Sequence, residues 1–299
     1  MEDKDKKRKT IALALGGGGA RGFAHVGMLE VLEREGIKVD YIAGTSMGAI
    51  MGGMYASGYP ISKIKEIVRN FKNLNIIPTQ YLNVLHESML KSTFVKEALE
   101  QIFQDKTFEE CKIPFYTLAV DLESGKEVIF NSGSLKDAIL ASASIPLIFP
   151  PTFHKDRYLI DGGVLNNVPV TCLRALNPDI LIGSKIVNYT SRQYISGMVY
   201  AKYHQKKYKS LFKRANFLKS FVKNTKEDLH LMVGIALRAM DIAAKDSTDR
   251  RIEEAAPDLM LEPNIQIGLL EFSKADQAIE EGRRAMEEAL PKLKEILDK

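Results

Sequence analysis

Long apolar runs are missing from this sequence. Nowhere do eighteen apolar residues follow one another in its 299 positions, which excludes a membrane-spanning helix, since a span needs about 20. The opening MEDKDKKRKT is charged, and only five apolar residues separate it from a glycine run. That is too few for the apolar stretch of a secretory leader. Cysteine is scarce as well: Cys111 and Cys172 offer neither a disulfide framework nor metal-ligand spacing, so a reducing, cytoplasmic setting is expected. Both are read as small buried apolar residues. Acidic residues are absent from Ile180 to Lys226, a stretch holding eleven of the 42 Lys and Arg, and the remainder is acidic, 31 basic against 38. An acidic body with one basic segment points to a localised electrostatic contact.

What is present is ordinary for a folded chain: 45% apolar and 27% charged residues, enough for a substantial core. No repeat or low-complexity linker divides it. It reads as a charged tail over residues 1–9 and a single domain over 10–299, with a basic, aromatic-rich insert at about 188–228.

Apolar spacing predicts strands at Thr10–Leu15, Tyr41–Ala43, Phe115–Asp121, Lys126–Phe130, Ile180–Val187 and Leu259–Leu261. A short hairpin returning through Arg157–Ile160 follows the prolines Pro146, Pro150 and Pro151. Helical periodicity marks Ala20–Glu35 (Gly36 its C-cap), Met47–Ala56, Ile61–Phe71, Phe94–Phe103, Val168–Leu176 and Leu229–Ala244. Ser134 with Asp137 caps a helix running to about Ala143, and Ser273–Leu297 is a long helix interrupted near Pro291. Strands alternating with helices predict an α/β layer with a mostly parallel sheet.

Two glycine-rich turns carry the chemistry. The first strand runs into Gly16-Gly17-Gly18-Gly19-Ala20-Arg21-Gly22. Gly17, Gly19 and Gly22 fit a dinucleotide-binding turn, with Asp40 at about the distance of a ribose-binding acid. The second strand, however, ends in Gly44-Thr45-Ser46-Met47-Gly48, the G-x-S-x-G spacing that holds a nucleophile on a strained strand-to-helix turn. Glycines beside such an elbow present backbone N–H groups to an oxyanion, and each donor is worth about 3 kcal/mol in the transition state. The oxyanion reading of Gly17, Gly18 and Gly19 is therefore preferred to the nucleotide one. Ser46 needs a base. None of His25, His86, His154, His204 and His230 has a supporting motif, and His25, among Phe23, Val26 and Leu29, reads as a core histidine. Asp161 ends a strand before Gly162 and Gly163, which admit a close neighbour.

Taken with Ala141-Ser142-Ala143-Ser144-Ile145-Pro146 and Phe149-Pro150-Pro151, these blocks stand in an order that resembles the patatin-like phospholipases. The nearest resemblance is to bacterial members related to the catalytic domain of neuropathy target esterase. It covers about residues 10–190 and resumes from about 226 to the C-terminal helix. It implies a three-layer α/β/α sandwich with a mostly parallel sheet, and a Ser46–Asp161 dyad without histidine, metal or cofactor. It also implies oxyanion donors at Gly17 to Gly19 and hydrolysis of acyl esters of phospholipids, lysophospholipids or neutral lipids. Arg21 matches a basic position of the glycine block and either meets a lipid phosphate or pins the loop. Residues 200–223 interleave Lys and Arg with aromatics, a mixture suited to peripheral docking on the inner face of a membrane. No nucleic-acid motif accompanies those charges. A catalytically weak, lipid-docking adaptor is the alternative reading.

Overall fold

In the computed structural model, residues 8–71, 86–186, 225–269 and 271–299 are described. His204 and the basic stretch 200–223 lie outside them. The first strand, β1 (Ile11–Leu15), is buried along its whole length, as expected of a strand covered on both faces. Its alternation assigns the two faces. Ile11, Leu13 and Leu15 join a core with α1 (Ala24–Arg34), α2 (Met47–Ala56), α3 (Ile61–Asn70) and α8 (Ala275–Asp298). Ala12 and Ala14 face the other way, against α6 (Val170–Arg174) and Ala255 at the end of α7 (Thr225–Ala255). Helices therefore sandwich the sheet, with small alanines on the side where α6 lies close. Among the described residues, no helix is long and apolar enough to cross a membrane.

Among the described residues the sheet has eight strands. β1 lies between β2 (Tyr41–Gly44) and β7 (Ile180–Ser184), and β7 carries β8 (Leu259–Leu261), all parallel. β2 continues in parallel to β3 (Phe115–Asp121). The remaining strands, β4 (Glu127–Phe130), β5 (Thr152–His154) and β6 (Arg157–Asp161), join antiparallel.

The register on β3 places the site. β4 occupies one side of β3, and β2 and β6 share the other. β2 ends with Gly44 opposite Thr117, while β6 arrives from the opposite direction and ends with Asp161 opposite Ala119. The two strands thus run head-on along β3, their ends two residues apart, about 7 Å at the usual rise per residue. Both turns that follow, Thr45-Ser46 and Gly162-Gly163, open into the same gap.

The structure departs from the periodicity in four elements. α4 (His86–Phe103) starts eight residues before the predicted Phe94. A 3-10 turn, Gly19–Phe23, precedes α1, because the glycine loop must turn before an α-helix can start. α7 spans 31 residues, well beyond the predicted Leu229–Ala244. α8 runs unbroken through Pro291. Burial of Met286 and Leu293 on either side offsets the missing donor, which costs about 3 kcal/mol in a helix interior.

Candidate active site

Ser46 stands between β2 and α2 with φ 54 and ψ −122, a strained backbone for a residue with a side chain. Its neighbours enforce it. A Cβ on Gly44 would come 2.4 Å from the Gly48 carbonyl, and one on Gly48 would come 2.1 Å from the Leu15 carbonyl. The turn lies against its own helix and against the end of β1, and only glycine fits at either position. The Ser46 N–H donates to Ser142 Oγ at 3.0 Å, where α5 (Leu135–Ser142) ends. The hydroxyl stands at the N-terminus of α2, whose dipole favours negative charge.

Asp161 is 5% exposed. Burial pushes its carboxyl up to about 6, opposed by hydrogen bonds from the Ser46 side chain and the Gly163 N–H. The Gly163 bond is 2.7 Å, and the Asp161 N–H donates to the Ser144 carbonyl at 3.0 Å. The structure thus brings Ser46 and Asp161 together, each also anchored to the stretch that ends α5.

The glycine loop closes the third side, and its glycines are not equivalent. The Gly17 N–H donates to the Asn167 carbonyl at 3.0 Å, so it is unavailable to an oxyanion and the expected set of three loses that member. Gly18 and Gly19 line the cavity beside Ser46, and among the described residues their N–H groups meet no backbone acceptor. Gly19 has φ +56, and a Cβ there would lie 2.2 Å from the Leu269 carbonyl, which accepts the Ala20 N–H. Asn167, which the sequence reading did not single out, is the clamp. Its Nδ2 donates to the Gly17 carbonyl at 3.3 Å, and its own N–H donates to Thr248 Oγ1 on α7.

A cavity of about 130 Å³ opens over Ser46 and Asp161. Ile145 and Pro146 form one wall, and α7 forms the roof through Leu237, Met240, Asp241 and Ala244. Those four fall on one helical face at three- and four-residue spacing. Arg21 reaches the cavity from the glycine block, with Nε donating to the Ile267 carbonyl at 2.8 Å. Burial raises the Asp241 carboxyl, and the charges of Arg21 and Arg238 lower it.

The remaining candidates lie elsewhere. His25 is fully buried, with Nε2 2.8 Å from the Gly16 carbonyl, and burial lowers it to about 4. It is a neutral histidine bracing the loop from behind. His154 packs edge-on against Phe130. Asp40 accepts the Ile11 N–H at 2.7 Å and pairs with Arg8, so the acid a nucleotide reading requires is committed to holding β1. Among the described residues, no cluster of three or more His, Cys, Asp or Glu is arranged to hold a metal.

Comparison with known proteins bears on the same stretch. A family model described as patatin-like phospholipase matches residues 13–173. An uncharacterized NTE family protein of Mycobacterium tuberculosis is 34% identical over 172 residues, 58% of this chain and 48% of the relative. A second from that organism is 28% identical over 285 residues, 94% of this chain and 46% of the relative. Patatin-like phospholipase domain-containing protein 6 of Homo sapiens is 33% identical over 178 residues, 58% of this chain and 13% of the relative. The chain thus spans less than half the length of these curated relatives. Among solved structures, VipD from Legionella pneumophila aligns with a TM-score of 0.45 at 13% identity, covering 97% of this chain and 67% of that one. The family match runs from within β1 to α6, more than half of the sequence, with the elbow and the Asp-Gly-Gly turn both inside it, and the chain belongs to the patatin-like phospholipase family.

Proposed function

We propose that this protein is a serine acyl hydrolase for the acyl esters of membrane lipids, with Ser46 as nucleophile and Asp161 as its base. One observation carries the reading: a buried carboxyl, weakened as an acid to about 6, faces the same cavity as a serine hydroxyl on a strained elbow. An ordinary surface aspartate is too weak a base to draw a proton from a serine. Burial strengthens it, yet at neutral pH it remains largely ionised and able to accept that proton.

Ser46 Oγ attacks the ester carbonyl carbon while its proton passes to Asp161. The carbonyl oxygen becomes an oxyanion, received by the N–H groups of Gly18 and Gly19 and by the N-terminus of α2. Collapse of this intermediate breaks the bond to the alcohol portion, which leaves with the proton from Asp161, and an acyl-serine remains. Water then attacks the acyl carbon and gives a proton to Asp161. The fatty acid departs as the Ser46–acyl bond breaks, and the proton returns to Ser46 Oγ.

The surface near the site suits a lipid substrate. β6 pairs with β3 up to Asp121–Leu159, beyond the level of Ser46, so the β5–β6 hairpin projects from the edge of the sheet that carries the cavity. Leu122, Phe153 and Tyr158 are exposed there, as is Leu147, next to the cavity wall. Apolar side chains beside a lipid-cleaving site favour shallow contact with a membrane surface, to which residues 200–223 would add cations.

Fluorophosphonate labelling of the purified protein, located by peptide mass, tests the reading. The expected result is label on Ser46, absent in Ser46→Ala and slowed at least a hundredfold in Asp161→Asn. A folded protein that takes no label yet binds anionic vesicles would be a lipid-docking adaptor, and the hydrolase reading would fall.

A further inference from the structure

The Ala141-Ser142-Ala143-Ser144 block plays no part in the chemistry above, yet it touches both halves of it. Ser142, at the C-terminal end of α5, is fully buried, and its Oγ accepts the N–H of Ser46 at 3.0 Å. Two residues on, the Ser144 carbonyl accepts the N–H of Asp161 at 3.0 Å. Ser144 Oγ is tied in turn to the Leu140 carbonyl and to Thr152 Oγ1 on β5, both at 2.8 Å. The end of one helix therefore grips the two residues whose separation decides whether a proton can pass between them. Small side chains are needed for this: Ala141, Ser142, Ala143 and Ser144 are all buried between the elbow and β6.

The geometry points to Ser142 as a positioning residue for the proposed reaction: its hydroxyl fixes the Ser46 backbone and so aims Ser46 Oγ at Asp161. The two grips differ in kind. Asp161 is held by a main-chain carbonyl, which any residue at 144 supplies. Ser46 is held by a side chain, which only a hydroxyl of this size supplies. The strand that would receive this amide ends at Gly44, and among the described residues the Ser46 N–H meets no backbone acceptor, only Ser142 Oγ. Without Ser142 Oγ that amide is buried and unpaired, and the peptide rotates to seek a partner. The hydroxyl direction then changes, while the cavity that binds the acyl chain stays as it is. This inference rests on Ser46 being the nucleophile.

The experiment compares Ser142→Ala, Ser142→Cys and Ser57→Ala with the unaltered protein on a water-soluble p-nitrophenyl ester. Ser57 is a buried serine at the far end of α2, its Oγ 3.8 Å from Cys111 Sγ, and serves as the matched loss of a hydroxyl. Loss of the grip is expected to lower kcat ten- to a hundredfold with KM within about twofold, since small misplacements of reacting atoms carry such penalties. Fluorophosphonate labelling should slow in parallel. Cysteine fills the volume but is a weak acceptor, so Ser142→Cys should remain as slow as Ser142→Ala, and Ser57→Ala should keep its kcat. Unchanged kcat in Ser142→Ala, or recovery in Ser142→Cys, overturns the inference, the second by showing that a cavity and not a hydrogen bond was at fault. If Ser142→Ala does not fold, the cysteine variant decides alone. Failure of the unaltered protein to label would instead strike at the hydrolase reading itself.

Discussion

Replacing Asp161 with asparagine should abolish turnover and make the protein more stable. The carboxyl is buried, and its rise from 3.8 to about 6 corresponds to about 3 kcal/mol. The sign follows from proton binding. Between those two values the folded state holds a proton that the unfolded chain has released, so folding stability falls as pH climbs through the window. Above about pH 6 the full loss is in place, because the folded protein must carry a buried carboxylate there. Asparagine has nearly the same shape, is neutral at every pH, keeps an oxygen for the Gly163 N–H and offers an amide toward Ser46. The stability of Asp161→Asn relative to the unaltered protein should therefore grow by about 3 kcal/mol from pH 3.5 to pH 7.5, most of it between 3.8 and 6. Urea unfolding of both proteins across that range measures it. A gap independent of pH, or an asparagine variant less stable at pH 7.5, would show that Asp161 is not a desolvated carboxylate and would remove the basis for treating it as a strengthened base.

The same group sets the rate profile: kcat/KM on a soluble ester should rise about tenfold per pH unit below about 6 and flatten above it, as Asp161 loses its proton. Gly48→Ala should cost about 3 kcal/mol or more, read by denaturant midpoint, because the added Cβ would stand 2.1 Å from the Leu15 carbonyl. Arg21→Met should lower stability by about 1–3 kcal/mol, by the same measurement, since the Ile267 carbonyl loses its partner and Asp241 loses a compensating charge.

Local features were legible in the sequence, and long-range register was not. The elbow announces itself because strand, nucleophile and helix are contiguous, and G-x-S-x-G states its own steric reason. Asp161 stands out by its two following glycines, but its approach to Ser46 depends on where β6 stops along β3, a pairing between residues about forty positions apart. Likewise, four successive glycines look alike in sequence. Asn167, 150 residues away, separates Gly17, whose N–H is taken, from Gly18 and Gly19. The spacing ends α7 at Ala244 because the apolar run there gives way to the charged stretch 245–254, through which the helix in fact continues. Within the apolar run, Arg238 and Asp241 border the cavity, Asp241 remaining exposed.

The head-on meeting of β2 and β6 separates two kinds of change that the protein can undergo. Lengthening or recolouring the tip of the β5–β6 hairpin leaves Asp161 where it is, because its place is fixed by pairing with Ala119 and by the Ser144 carbonyl, both behind the tip. Sliding β6 by a single residue, by contrast, would turn the carboxylate to the opposite face of the sheet. The hairpin is therefore free ground for variation in the surface a relative presents to its substrate, while the pairing of β6 on β3 is not, and diversity in what is approached can accumulate without loss of what is done.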